Sequence, residues 1–433
     1  MILRAALVAT VMGLMAPHAL AQSVYGCIDL AGRHSLPSVE GADGVFFHVD
    51  PDLMMHHPFS AETAEDMAAL SRALASRGTT LIYAPLPTKA LAMPDHLPQA
   101  ARDHGYDATL AATVYLEMIR DLTRQGVIAV DARGALRSGR DAPPSFFAAD
   151  PRMTADGARR AAVAIAGAIT ATPSYVDMPR SRFATQSAGM VSLPSQTRSM
   201  LQRHCTVTLP DVTTESFVTM RLDAGAPGSN AIFAAAARGS GIALLGTDYA
   251  GEPAINLAGF LAEATGLDVI QYAVPEGGAY AAISSYMTSR AFQDQPPAYL
   301  VWANPMFHGL ADRGDQPMAE LIAAAGGDCR IALPVIPGRA PGSITADLRG
   351  LDPGRDYTLF LDADGQAARV ARFDFGGPDG TLRSRSIHRH PDQIPTGRFY
   401  MPMSGLWAGG AISVDITLDA GLGFNPRVTA CVV

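Results

Sequence analysis

The hydrophobic period of this chain changes once, near Cys329, and that change limits what it can fold into. Ahead of it, helical spacing alternates with short apolar runs. Apolar residues recur at three- and four-residue intervals over residues 60–77 behind a Ser60 cap, and residues 81–83 follow Gly78 as a buried strand. The unit repeats, with a helix over 108–124 stopped at Gly126 and a strand over 127–130. Thr154 caps a third helix to about Thr170, and the stretch on to about Arg238 reads as loop. Strands over 242–245, 269–274 and 299–304 then alternate with helices over 254–264 and 279–292. Parallel strands need long crossovers, so this alternation implies a parallel sheet covered by helices on both faces. Beyond Cys329, turns such as Asp352-Pro353-Gly354, Asp364-Gly365 and Pro378-Asp379-Gly380 separate short alternating runs over 357–361 and 412–416, the pattern of a small all-β sandwich. The expected fold class is α/β: an α/β/α sandwich over 22–328 and a small all-β sandwich over 329–433.

Residues 1–21 have Arg4, an apolar stretch over 5–15, Pro17 and the ending Ala19-Leu20-Ala21, which reads as a cleaved secretory signal peptide. The apolar stretch is about half of the ~20 residues that span a bilayer. The mature chain is therefore expected in a periplasm-like compartment, with no membrane span after cleavage. Cys27, Cys205, Cys329 and Cys431 are too far apart in sequence for a zinc site and suit disulfides in such a compartment, and neither metal nor cofactor is expected. Three pairings are possible. Cys329 with Cys431 would tie off a terminal unit of about 100 residues, worth about 4–5 kcal/mol by the chain-entropy model, and would leave Cys27 for Cys205.

Charged residues are only 17% of the chain and hydrophobic ones 48%, which excludes disorder as its main state. A net charge of −8 argues against nucleic acid as a partner. Of the 33 basic residues only Lys89 is a lysine, and it follows Thr88, so a phosphate loop ending in Gly-Lys-Ser/Thr is excluded. No Gly-x-Gly-x-x-Gly follows a strand, which argues against a dinucleotide site.

In an open parallel sheet, reactive groups belong at the carboxyl ends of strands. Two places qualify: Asp150-Pro151-Arg152 ahead of the Thr154-capped helix, and Gly246-Thr247-Asp248 at a strand end. Asp150, Thr154, Gly157-Ala158, Gly246-Thr247 and Asn256-Leu257-Ala258-Gly259-Phe260-Leu261 together resemble the exported alginate O-acetyltransferases of the AlgX type. Gly41-x-Asp43-Gly44, Pro275-x-Gly277-Gly278 and the four cysteines extend the resemblance over essentially the whole mature chain. It implies an SGNH-hydrolase-like domain followed by a carbohydrate-binding sandwich, and two disulfides in the pairing above.

Two departures carry the functional reading. That family uses a serine nucleophile after Gly-Thr, a histidine base in Asp-x-His, and the aspartate to orient it. Here Asp248 stands at the serine position and Arg152 at the histidine position, and only the aspartate, Asp150, remains. A guanidinium has no lone pair to accept a proton, and attack by Asp248 on an acyl group would give a mixed anhydride. No other nucleophile motif is present, His48, His56, His57, His104 and His308 lack an evident serine partner, and Ser284 and Ser285 lie inside a predicted helix. The expected function is a catalytically degenerate member of an exopolysaccharide O-acetylation system, binding an acidic, alginate-like polysaccharide or scaffolding other biosynthesis proteins. The alternative is an active O-acetyltransferase or acetylesterase with an unconventional nucleophile.

Arg152 has two possible uses. It could bridge Asp150 and Asp248 as a structural plug, or hold a uronate carboxylate, which a guanidinium matches with two parallel hydrogen bonds. A second candidate ligand surface lies on the terminal sandwich, where Arg383, Arg385, Arg389 and Arg398 are interleaved with Tyr400 and Trp407. Charge would attract the carboxylates of a glycan and flat rings would cover its apolar faces.

Overall fold

The computed structural model describes residues 23–55, 57, 59–222, 241–326, 329–340, 342–406, 410–423 and 425–432. The expected signal segment 1–21, His56 and Trp407 lie outside these residues.

A short antiparallel ribbon, β1 (Ser38–Glu40) with β2 (Phe46–His48), leads into the first helix, α1 (Ala61–Ala75). Ser60 caps α1 by accepting from the Thr63 N–H, as its position suggested. There follow β3 (Thr80–Leu86), α2 (Ala108–Arg124), β4 (Ile128–Ala129) and α3 (Ala155–Thr170). The stretch read as loop instead holds a long antiparallel pair, β5 (Phe183–Ser192) with β6 (Thr213–Arg221), bulged between Ser187 and Gly189. Its strands show no clean apolar alternation because both faces are largely exposed, so the usual period-2 signal is missing. After it come β7 (Ile242–Gly246), α4 (Leu257–Thr265), β8 (Val269–Ala273), α5 (Ala281–Thr288), β9 (Tyr299–Pro305) and α6 (Gln316–Gly326). The helix expected over 279–292 breaks at Ser289, whose hydroxyl caps a separate short helix, Arg290–Asp294.

The central sheet has the order β4-β3-β9-β7-β8, all parallel. Its alternating side chains supply two cores. Ile82, Ala84, Leu244, Val301 and Ala303 meet α3 and α4 on one face. Leu81, Tyr83, Leu245, Leu300 and Trp302 meet α1, α5 and α6 on the other. This is the expected α/β/α arrangement, and it brings the carboxyl ends of β3, β7 and β9 to one edge.

Beyond Cys329 the chain forms two packed antiparallel sheets. One has the order β10-β18-β13-β16 and the other β11-β12-β17-β14-β15. Their strands are β10 (Ile331–Ala332), β11 (Val335–Pro337), β12 (Ser343–Asp347), β13 (Tyr357–Asp362), β14 (Val370–Gly376), β15 (Leu382–His388), β16 (Arg398–Pro402), β17 (Ser413–Leu418) and β18 (Arg427–Val432). Inward residues of both sheets, among them Leu359, Leu361, Phe373, Phe375, Val414 and Ile416, form a third core. The disulfides are Cys27–Cys205 and Cys329–Cys431.

The sandwich is fastened to the sheet domain through polar contacts. Arg389 forms a two-armed salt bridge with Glu320 of α6, the Nη1···Oε2 distance being 2.7 Å, and the Tyr400 N–H donates to the same carboxylate. Gln393 Nε2 donates to the Ala281 carbonyl and to Ser284 Oγ, and Ser285 Oγ donates to the Ile394 carbonyl. Ser284 and Ser285 are thus buried seam residues.

Candidate functional site

The turn that carries Asp150 and Arg152 is closed by a bridge between Phe146 and Met153, with the Phe147 N–H donating to the Arg152 carbonyl. Thr154 then caps α3 by accepting from the Gly157 N–H. A side chain on Gly157 would strike the Ser145 carbonyl at 2.1 Å, so glycine is required there for close approach, not for its dihedral freedom. Gly246 is similarly pressed, since a Cβ there would lie 2.7 Å from the Ala303 carbonyl oxygen, where β7 delivers Thr247 and Asp248 to the sheet edge.

Arg152 is fully engaged by protein groups. Its Nε and Nη2 donate to Oδ1 and Oδ2 of Asp150 at 2.8 and 2.9 Å, Nη1 donates to Glu252 Oε2 at 2.8 Å, and Nη2 also reaches the Pro194 carbonyl at 2.8 Å. The second carboxylate of the plug is therefore Glu252. Asp248 makes no ion pair with Arg152, which corrects the expectation of an Asp150–Arg152–Asp248 bridge. Geometry selects Glu252 because it lies one helical turn beyond Asp248 and also caps the 3-10 turn Pro253–Ile255 by accepting from the Ala254 N–H. Nor does this arginine stand open for a uronate, because its fork is filled.

Burial works to raise the Asp150 pKa, but hydrogen bonds from the Arg152 side chain, the Ser195 hydroxyl and the Arg152 N–H outweigh it and hold the carboxyl below the usual range. Asp248 shows the reverse. Burial raises its pKa, opposed by its own N–H, the Arg152 charge and the Glu276 N–H. Among the described residues, no carboxylate–histidine–serine relay stands at this edge. One serine–histidine pair does exist nearby, His48 Nδ1 with Ser38 Oγ at 2.9 Å, but Ser38 is fully buried and its hydroxyl also reaches the Leu36 carbonyl. Burial first, then the Lys89 charge, lowers the His48 pKa to about 3, with Asp150 opposing.

Lys89, which in the sequence only excluded a phosphate loop, supports the site from beneath. It is 1% exposed, and its Nζ donates to the carbonyls of Phe46 (2.9 Å) and Ala148 (3.2 Å), tying β2 to the turn that carries Asp150. Burial lowers its pKa to about 8, with Asp52 and Asp150 opposing. Being the only lysine in an arginine-rich chain was the one signal that could have marked it. Glu252 carried a weaker one, an acid within a turn of the strand-end Asp248.

On the sandwich the proposed ligand residues separate. Arg389 and Tyr400 are buried in the seam against Glu320, so they form no sugar-facing surface. Arg389 also stacks on Phe399 at 5.2 Å. Arg398 is half-buried beside its cross-strand partner Asp362, at 3.6 Å. Arg385 spends Nη1 and Nη2 on the Pro402 and Ser404 carbonyls. Arg383 is exposed and lines a 350 Å3 groove with Pro353, Arg355 and Leu406.

Residues 39–306 match the family model of the SGNH hydrolase-like domain of the acetyltransferase AlgX. The alginate biosynthesis protein AlgX of Pseudomonas aeruginosa is 29% identical over 275 residues, covering 64% of this chain and 57% of that protein. The chain spans between half and three-fifths of the length of its first AlgX relatives, 57, 52 and 59%. Among solved structures, Pseudomonas aeruginosa AlgX superposes with a TM-score of 0.77 at 23% identity over 94% of this chain and 99% of that one, which extends the shared fold into the sandwich. The O-acetyltransferase domain of Pseudomonas putida AlgJ superposes with a TM-score of 0.50 at 22% identity over 62% of this chain and 91% of that one. Because the family model matches more than half of the chain, the protein belongs to the AlgX family of SGNH hydrolase-like acetyltransferase domains.

Proposed function

We propose that this protein serves an exopolysaccharide O-acetylation system as a non-catalytic member, binding an acidic, alginate-like polysaccharide in a periplasm-like compartment and offering a scaffold to other biosynthesis proteins. The observation that carries the reading is Arg152. A base must give up and accept a proton, and this cation, held by Asp150 and Glu252, can do neither. Attack by Asp248 on an acyl group would give a mixed anhydride, not the ester that the family's serine forms. The relatives' names point to alginate biosynthesis and O-acetylation, and two disulfides suit an oxidising compartment. Exposed Arg383 beside Arg355 supplies charge for an acidic sugar on the sandwich.

The test is a chromogenic acetyl-ester assay on the purified protein lacking residues 1–21. The expected result is no burst and no turnover above buffer. A burst that disappears in Asp248→Ala would overturn the non-catalytic reading. The double change Arg152→His with Asp248→Ser asks whether the two substitutions suffice to restore the chemistry.

A further inference from the structure

We infer that a cavity between the start of α3 and the β5–β6 pair is a binding subsite for an acidic pyranose of a glycan chain, with Arg159 as its cation. The inference rests on the proposed polysaccharide reading and adds a site that lies outside both the Asp150–Arg152 turn and the terminal sandwich.

Three observations converge on Arg159. Its guanidinium carbon lies 4.7 Å from the centroid of Phe217 and 4.5 Å from that of Phe260, and the two rings meet edge to face at 5.4 Å. The two arginines nearest to it in sequence are neutralised. Arg152 is held by Asp150 and Glu252, and Arg160 by Asp156 at 2.9 Å. Arg159, although exposed, makes neither an ion pair nor a side-chain hydrogen bond among the described residues. Two aromatic faces therefore orient the cation while its N–H donors stay available, an arrangement that preorganises a carboxylate contact.

The surroundings suit a sugar. The cavity measures 330 Å3, within the usual range for small-molecule sites, and Pro143, Pro144, Met190 and Phe217 give it an apolar wall. Met190 is 69% exposed, so its side chain is open to a ligand in the cavity it lines. Glu215, the cross-strand neighbour of Met190, already accepts the Ser187 hydroxyl and keeps a second oxygen for a sugar hydroxyl. A pyranose carboxylate on Arg159, a hydroxyl on Glu215 and an apolar ring face over Phe217 would use each of these features. Thr154 of the cavity wall is two residues beyond Arg152, and the chain that carries Met190 continues past the end of β5 to Pro194, whose carbonyl accepts from Arg152.

The test titrates an alginate-derived hexauronate into the protein lacking residues 1–21 by calorimetry, with a neutral cello-hexaose as control. Arg159→Gln is expected to weaken hexauronate binding at least tenfold and Arg159→Lys to restore part of it, while thermal melts verify that each variant is folded. Hydrogen exchange of the wild type with hexauronate should show protection over residues 213–217. Unchanged affinity in Arg159→Gln with binding lost in Arg383→Ala would overturn this subsite and leave the polysaccharide reading standing. No hexauronate binding by the wild type would overturn both, and equal binding of cello-hexaose would overturn the acidic ligand class.

Discussion

Arg152 and Arg389 each grip a carboxylate with two arms, yet one closes the open edge of the sheet and the other fastens the seam between domains. Their side-chain exposures are close, 12% and 7%, so burial alone does not separate them. Charge does. Arg389 meets one carboxylate and is balanced. Arg152 meets Asp150 and Glu252 with Asp248 close by, so that edge carries surplus negative charge and offers a polyanion no attraction. The place where the family resemblance puts the chemistry is thus the less inviting one for an acidic glycan, and Arg159, exposed and without an ion pair among the described residues, is the better placed to receive it.

The seam pair should be the costlier one to break. Arg389→Ala leaves Glu320 buried and unpaired, and by analogy with other buried pairs it is expected to cost about 3–5 kcal/mol. Urea unfolding followed by near-ultraviolet dichroism would read it, with the sandwich separating from the sheet domain as an additional transition. A cost below ~1 kcal/mol would mean that water reaches Glu320 and that the seam is held by apolar packing. Replacing both partners, Arg389→Met with Glu320→Leu, should recover most of the loss, because the desolvation penalty goes with the charges.

Arg152→Ala should cost less, about 1–3 kcal/mol, since Asp150 keeps the Ser195 hydroxyl and a backbone N–H. Its pH dependence distinguishes it from the seam variant. The folded-state pKa of Asp150 is depressed, so its stabilisation is present above the unfolded value of about 4 and is lost as pH falls through the folded value. The gap between wild type and Arg152→Ala should therefore narrow below about pH 4. A gap that stays constant down to pH 2 would show that Asp150 is not what Arg152 stabilises.

The two clusters also show which parts of the molecule could be read in advance. Strand and helix alternation placed the sheet because each strand is buried on both faces and each helix carries one apolar stripe. The β5–β6 pair escaped because its exposed strands lack that stripe. At the site, spacing placed Asp150, Arg152 and Asp248 at the sheet edge, but the choice of Glu252 over Asp248 depends on a few ångströms of loop geometry that no spacing encodes. Arg389 and Tyr400 resemble sugar-binding residues by composition. Only their burial against Glu320, contributed by a helix about 70 residues earlier, assigns them to the seam.

Asp248 gives the smallest effect and one of opposite sign. If it belonged to the plug, neutralising it would weaken the fold as Arg152→Ala does. The geometry places it outside the plug, as a partly desolvated carboxylate with a raised pKa. For such a group the folded state binds a proton at a higher pH than the unfolded chain does. Between the unfolded value of about 4 and the raised folded value, stability falls as pH rises, and the penalty remains in full above that window. Asp248→Asn should then be stabilising at pH 7, by a few tenths to about 1 kcal/mol, with the advantage vanishing below about pH 4. Urea midpoints at pH 7.5 and pH 4 read both halves. Destabilisation at pH 7.5 would make Asp248 a working partner of Arg152 after all, and the open edge of the sheet would be a three-carboxylate cluster built around its arginine.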